Sequence, residues 1–199
     1  MPSLVLASAS PRRAELLTEA GYTFTIHAAD LDEERLGRGV EPRDLALHLA
    51  TAKAEHVAKT LEGGAVVLAA DTIARTGDGS VLGKPINRDD ARRILTQLVN
   101  TRHGVITGYC LIRVADGERR YGQVRSDVVM RAVSDDELER FLDTNLWQGK
   151  AGAYGIQDEP GVDEGDLFVE QIDGELSNVI GLPMPQVVEA LEELGVERQ

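Results

Sequence analysis

The sequence is short of the residues that usually carry thiol, zinc or base-stacking chemistry. It holds one cysteine, Cys110, in 199 residues. That excludes an intramolecular disulfide and fits a reducing compartment. Aromatic residues make up 4% of the chain, too few for the platforms on which single-stranded nucleic acid stacks. The histidines, His27, His48, His56 and His103, show no H-E-x-x-H or paired-ligand spacing, so no zinc site is expected. Neither G-x-x-x-x-G-K-[ST] nor G-x-S-x-G occurs, which removes the phosphate loop and the hydrolase elbow. The longest apolar run, AVVLAA at 65–70, is far too short to span a bilayer. The opening MPSLVLASAS lacks the basic start and long apolar run of a leader. A soluble, cytoplasmic protein is the expectation. Positive charge is scarce too: the net charge is −13, and lysine supplies only four of the 21 basic residues. That balance argues against nucleic acid or an anionic membrane as partner. Any local cluster of positive charge then becomes informative.

What is present is a chain 42% hydrophobic, long enough for one sizeable α/β domain over 1–199 or a two-lobed version of it. Strand and helix patterns alternate with no linker or repeat. LVLAS reads as a short buried strand, and SPRRAELLTEAG as a helix with Ser10 at its cap, Pro11 at its first position and Gly21 as its stop. YTFTIHAAD reads as a second strand and DLDEERLGRG as a polar loop. EPRDLALHLATAKAEHVAKTL is a long helix with Pro42 at its first position, and GAVVLAADTIAR a strong strand whose apolar run ends at Ala70. After the turn TGDGS, Asn87 is expected to cap the helix RDDARRILTQL. Two extended runs joined by DGER form a hairpin. Ser134 and Glu137 have capping-box spacing. The glycine-rich GKAGAYGIQDEPGVDEGD is expected to line a ligand. LFVEQIDG is a late strand, and PQVVEALEEL a final helix closed by Gly195. The order implies a mixed sheet with helices on both faces.

Three features could carry chemistry. Arg12 and Arg13 occupy a helix's first turn, where the dipole disfavours a cation by roughly 0.3–1 kcal/mol. An anion bound at that N-terminus would remove the conflict, and Ser8 and Ser10 add hydroxyl donors beside it. A phosphate satisfies all of these groups together. Pairing of the arginines with surface carboxylates is the competing reading. Second, Asp71 is read as standing at the end of a buried strand, a common place for a catalytic or metal-binding carboxylate in α/β folds. A turn or cap aspartate is the plainer alternative, and Glu33, in a charged loop, is a second candidate acid. Third, Lys53, Lys84 and Lys150 stand in TAKAEH, LGKPIN and GKAGAY rather than on generic helix faces.

The pieces LASASPRRAELL, DLDE, AADTI, LGKPINRDDA, HGVITG, WQGKAGAYGIQ and SNVIGLPM, in this order, resemble the Maf family of nucleotide pyrophosphatases nearly end to end. The resemblance implies an elongated mixed α/β fold with flanking helices and a deep central cleft, similar to inosine-triphosphate pyrophosphatases. It implies hydrolysis of nucleoside triphosphates to monophosphate and pyrophosphate with a divalent cation, Mg²⁺ or Mn²⁺. Carried over, it makes Asp71 the proton acceptor and puts Glu33 with Asp71 on the metal. Ser8, Arg12, Arg13, Lys53 and Lys84 would contact phosphates, and Arg12, Thr72 and Gln157 would bear on substrate choice. SPRR, AADT and GAYGIQ are similar to the branch acting on dTTP and UTP, not to the sister branch acting on 7-methyl-GTP. The alternatives are that sister activity, and a non-catalytic nucleotide-binding regulator of cell division; the candidate base Asp71 speaks against a pure binder. The substrate nucleotide is the expected partner, and a homodimer an open oligomeric state. Two departures stand out: Asn100-Thr101 replaces the family's usual Ser-Gly, and the acidic segment at 158–166 is longer than usual.

Overall fold

The computed structural model describes residues 2–156 and 168–198. In chain order the elements are β1 (Leu4–Leu6), α1 (Pro11–Glu19), β2 (Phe24–Ile26), α2 (Glu33–Gly37), α3 (Leu45–Ala58), β3 (Val66–Arg75) and β4 (Val81–Leu82). They continue as α4 (Arg88–Leu98), β5 (Arg102–Arg113), β6 (Arg119–Met130), α5 (Asp135–Asp143), a 3₁₀ turn at Ala151–Ala153, β7 (Val169–Asp173), α6 (Leu176–Ile180) and α7 (Met184–Glu193). The seven strands form one mixed sheet in the order β2-β1-β3-β5-β6-β7, with β4 on β3. Strand β1 runs parallel to β2 and β3, whereas β4 and β7 run antiparallel to β3 and β6. The expected mixed α/β class is therefore the observed one. No helix among the described residues is long and apolar enough to cross a membrane.

The chain forms two compact units. The first comprises Met1–Thr72, Thr107–Val124 and Gly181–Gln199; the second comprises Ile73–Ile106 and Arg125–Ile180. In the first, Leu4, Val5 and Leu6 are all buried, so β1 is covered on both faces, as parallel strands require. One face, Val5, Ala7, Val67 and Ala69, packs under Ala54 and Val57 of α3 together with Cys110. In the second unit, Ile94, Leu95 and Leu98 of α4 pack with Val105, Met130 and Leu142 around Trp147. The Trp147 indole N–H donates to the Leu142 carbonyl at 2.9 Å, so its one polar atom is satisfied.

Locally encoded features stand where the sequence puts them. The Asn87 side chain accepts from the Asp90 N–H at 2.8 Å. Ser134 and Glu137 form a complete capping box, and its hydrogen bonds pull the Glu137 carboxyl down to about 2. Asn100 has φ 57. This is the left-handed turn that follows a helix end and that asparagine tolerates best after glycine, so the departure from Ser-Gly keeps a sharp turn after α4.

Five readings are corrected. Ser10 holds the cap position of α1 but makes no side-chain cap bond; its N–H instead donates to the Ser8 hydroxyl at 3.3 Å. The polar loop at 30–39 contains the short helix α2, because Asp32 accepts from the Arg35 N–H at 2.9 Å. Pro42 precedes α3, which starts at Leu45 behind Asp44. Strand β2 is only three residues long, since β1 offers it partners only from Leu4 to Leu6. Lastly, β3 does not end near Asp71. Its pairing with β1 stops at Leu68, but it continues to Arg75, where Ala74 and Arg75 pair with β4.

Candidate active site

The first unit brings most of the candidate residues together where β1 stops. The Ala7 N–H donates to the Leu68 carbonyl at 2.8 Å, the last rung between the two strands. Beyond it β3 runs on without β1 beside it. A crevice past the carboxyl ends of parallel strands is the usual ligand site of such sheets. Successive strand residues face opposite ways, so Asp71 and Thr72 serve two different groups of side chains.

Asp71, 5% exposed, lies on the same face of β3 as Val67 and Ala69, the face covered by α3. There it meets Lys53, a lysine 7% exposed within α3. The Lys53 Nζ lies 2.6 Å from Asp71 Oδ1 and 2.7 Å from Glu33 Oε1. Glu33 is the first residue of α2. Thus the helix unforeseen at 33–37 is what carries the second acid to the site. One ammonium holds two carboxylates, so the cluster keeps a net negative charge. Asp71 Oδ2 has no hydrogen-bond partner among the described residues.

Thr72 turns the other way and meets Arg13. The Arg13 Nη2 donates to Thr72 Oγ1 at 3.1 Å, Nη1 to Ser8 Oγ at 2.9 Å, and Nε to the Gly181 carbonyl at 2.8 Å. These three acceptors are neutral. Burial lowers the Arg13 pKa from its ordinary value, the charges of Asp71 and Glu33 draw it up, and that of Arg12 pushes it down. A guanidinium has five N–H groups, so two of Arg13's remain unengaged among the described residues. Arg12 makes no hydrogen bond or ion pair among the described residues. The competing reading of two arginines paired with surface carboxylates is therefore not what the structure shows.

Lys84 lies in the second unit, exposed just after β4. Gln157 and the acidic segment at 158–166 lie outside the described residues. Two residues of the site went unread in the sequence. Thr107, wholly buried in β5, sits 2.9 Å from the Thr72 hydroxyl. Gly181, with φ 129, presents its carbonyl to Arg13. The only signal for Gly181 was its place between an apolar helix and Pro183, the signature of a helix stop.

The donor set fits a divalent cation that takes only part of its shell from protein. Among the described residues no three His, Cys, Asp or Glu side chains converge. Glu33 and Asp71 do converge, on a single ammonium. One or two carboxylates completed by substrate phosphate oxygens is the usual Mg²⁺ arrangement, rather than an all-protein cage.

Residues 3–194 match the family described as Maf-like protein. The chain belongs to the Maf family. It is 43% identical over 196 residues to a protein of Anaeromyxobacter dehalogenans named dTTP/UTP pyrophosphatase, covering 98% of this chain and 95% of that one. It is 41% identical over 194 residues to a protein of the same name from Thermococcus kodakarensis, covering 98% and 97%. Among solved structures, a nucleoside-triphosphatase / dITP/XTP pyrophosphatase from Mycobacterium abscessus aligns at TM-score 0.41 and 16% identity, over 66% of this chain and 75% of that one. A HAM1 protein from Coxiella burnetii aligns at 0.43 and 16% identity, over 65% and 73%.

Proposed function

We propose that this protein, as one family domain over 1–199, hydrolyses nucleoside triphosphates, dTTP and UTP foremost, to the monophosphate and pyrophosphate. The observation that carries the reading is the buried Lys53 ammonium drawn onto Asp71 and Glu33, with the Arg13 guanidinium, held by neutral acceptors, on the other side of β3. The names of relatives at 41–43% identity support the reaction and the bases. The lone, buried Cys110 supports a reducing, cytoplasmic setting.

In this reading Glu33 and Asp71 would hold a divalent cation, Mg²⁺ or Mn²⁺. When bound, the cation offsets phosphate charge and polarises the phosphoryl oxygens. Asp71 accepts a proton at its carboxylate from a water attacking the α-phosphorus. The bond from that phosphorus to the bridging oxygen breaks, and pyrophosphate leaves. Arg13, Arg12 and Ser8 bind phosphate oxygens, and Lys53 and Lys84 add positive charge as the leaving group gains electrons. Arg12, Thr72 and Gln157 bear on which base is accepted. The test is pyrophosphate release from a panel of nucleoside triphosphates by the purified protein with Mg²⁺ or Mn²⁺. Release fastest from dTTP and UTP is expected. No release from any member of the panel would remove the reading.

A further inference from the structure

Thr107 has no role in the reading above. It is wholly buried in β5, a strand in which Val105, Ile106, Cys110 and Leu111 are buried too. Valine has nearly the same shape and would fill that volume without bringing a polar atom that needs a partner. The Thr107 hydroxyl instead lies 2.9 Å from the Thr72 hydroxyl. Thr72 is the residue that accepts from Arg13 Nη2.

Hydrogen-bond roles along this chain are constrained from one end. Arginine only donates, so the Thr72 oxygen must accept from it. The remaining hydrogen between the two threonines then has two arrangements. Either Thr72 donates to Thr107, or Thr107 donates to Thr72 and leaves the Thr72 O–H to point elsewhere. In both, Thr107 determines which way the Thr72 hydroxyl turns, and hence how its lone pair meets Arg13.

The other two anchors of Arg13 are the Ser8 hydroxyl and the Gly181 carbonyl. Three acceptors on three nitrogens define the plane of the guanidinium. None is a carboxylate, so the fork is aimed without being neutralised. Such an arrangement suits a group that must meet an anion in one orientation, where an error of a fraction of an ångström matters.

We infer that Thr107 is a positioning residue: through Thr72 it fixes the direction in which Arg13 meets the phosphates. The inference rests on the proposed function for the identity of the anion. It does not rest on it for the geometry.

The test compares Thr107→Val, Thr107→Ser, Thr72→Val and the double variant Thr72→Val/Thr107→Val, each as the full chain with Mg²⁺ and UTP. Thr107→Val is expected to lower kcat about tenfold with KM changed by less than about twofold, the pattern of a contact that matters in the transition state. Thr107→Ser, which restores the hydroxyl, should return kcat to within about twofold of the parent. The double variant should be no slower than Thr72→Val alone, because Thr107 acts through Thr72. Fully multiplied defects, an unchanged kcat in Thr107→Val, or a serine variant as slow as the valine one would each overturn the inference. A parent protein that releases no pyrophosphate would instead remove the functional reading. The Arg13 guanidinium N–H resonances, assigned by their loss in Arg13→Lys, then decide the geometry. A shift or broadening in Thr107→Val that Thr107→Ser reverses supports the positioning role, and unchanged resonances in Thr107→Val overturn it.

Discussion

Lys53 Nζ stands 2.6 Å from Asp71 Oδ1, and the same ammonium reaches Glu33 at 2.7 Å. The lysine whose resemblance-based role was to contact phosphates is thus engaged on the two carboxylates proposed to hold a cation. With both acids on it, Lys53 keeps the buried Asp71 and the partly exposed Glu33 close together, where two carboxylates would otherwise repel. A divalent cation entering there would compete with the ammonium, and incoming phosphates would offer Lys53 another partner.

From this relationship, Lys53→Met is expected to bind Mn²⁺ more tightly than the parent in the absence of nucleotide, by about tenfold or more in calorimetric titration. Turnover should fall in the same variant, because the phosphates lose a cation. Equal Mn²⁺ affinity in the two proteins would mean that Glu33 and Asp71 are not the metal pair. Excess EDTA should stop pyrophosphate release by the parent protein; full activity in EDTA would remove the cation from the mechanism.

Asp71→Asn is expected to keep the fold, since Glu33 still neutralises Lys53, and to lose about 10²–10⁴-fold in kcat, the usual contribution of a general base. Circular dichroism checks the first part and steady-state assay the second. Parental turnover in a folded Asp71→Asn protein would assign the base elsewhere.

What could be read from the sequence follows the range of the interactions. Asn87, Ser134 and Glu137 act on backbone groups three residues away, so their caps were legible as strings of letters. The apolar run before Asp71 gave the strand and the acid. Its stop at Ala70 did not give the strand's end, because pairing with β4 carries β3 on to Arg75. Helix α2 was hidden by its charged composition and rests on the Asp32 cap. Of the anchors of Arg13, only Ser8 could be placed near it from the sequence. Gly181 is 168 residues away in the chain, and Thr107 looks like one more β-branched strand residue until Thr72 is seen beside it.

Arg13→Ala should lower kcat/KM for UTP with the larger share in kcat, because its contacts strengthen as the leaving pyrophosphate gains charge. Lys84→Ala, in the same assay, is expected to raise KM and lower kcat. If neither variant changes the kinetics, the phosphates are held by other residues.

His103 supplies a pH dependence unconnected with turnover. Its Nε2 lies 2.8 Å from the Tyr154 hydroxyl, and its Nδ1 is buried without a hydrogen-bond partner among the described residues. Burial lowers its pKa from 6.5 to about 4, opposed by the negative charge of Asp127. The unfolded chain therefore takes up the proton first as pH falls. The contribution of neutral His103 to stability is complete above about pH 6.5 and is lost as pH falls toward 4. The loss amounts to about 3 kcal/mol, from 1.36 kcal/mol per pKa unit. Urea midpoints of the parent should fall over this window more steeply than those of His103→Gln. Parallel curves would show that the imidazole is not held neutral.

Base choice is the last expectation. Uracil and thymine present an acceptor O4 beside a donor N3–H, and a glutamine amide can meet both with its NH₂ and C=O. Gln157 is the proposed reader, with Thr72 and Arg12 beside it in role. The same amide, flipped, would serve cytosine, so discrimination requires that its orientation be fixed. A buried polar group left unpaired by the wrong base costs roughly 1–3 kcal/mol. At least a tenfold fall in kcat/KM from UTP to CTP is therefore expected, about 1.4 kcal/mol in transition-state terms. Gln157→Ala should shrink that ratio while hydrolysis persists, because the phosphates and Asp71 are untouched. An unchanged ratio in Gln157→Ala would assign base reading to other residues. GTP or 7-methyl-GTP as the best substrate would move the chain to the sister branch while leaving the reaction type intact.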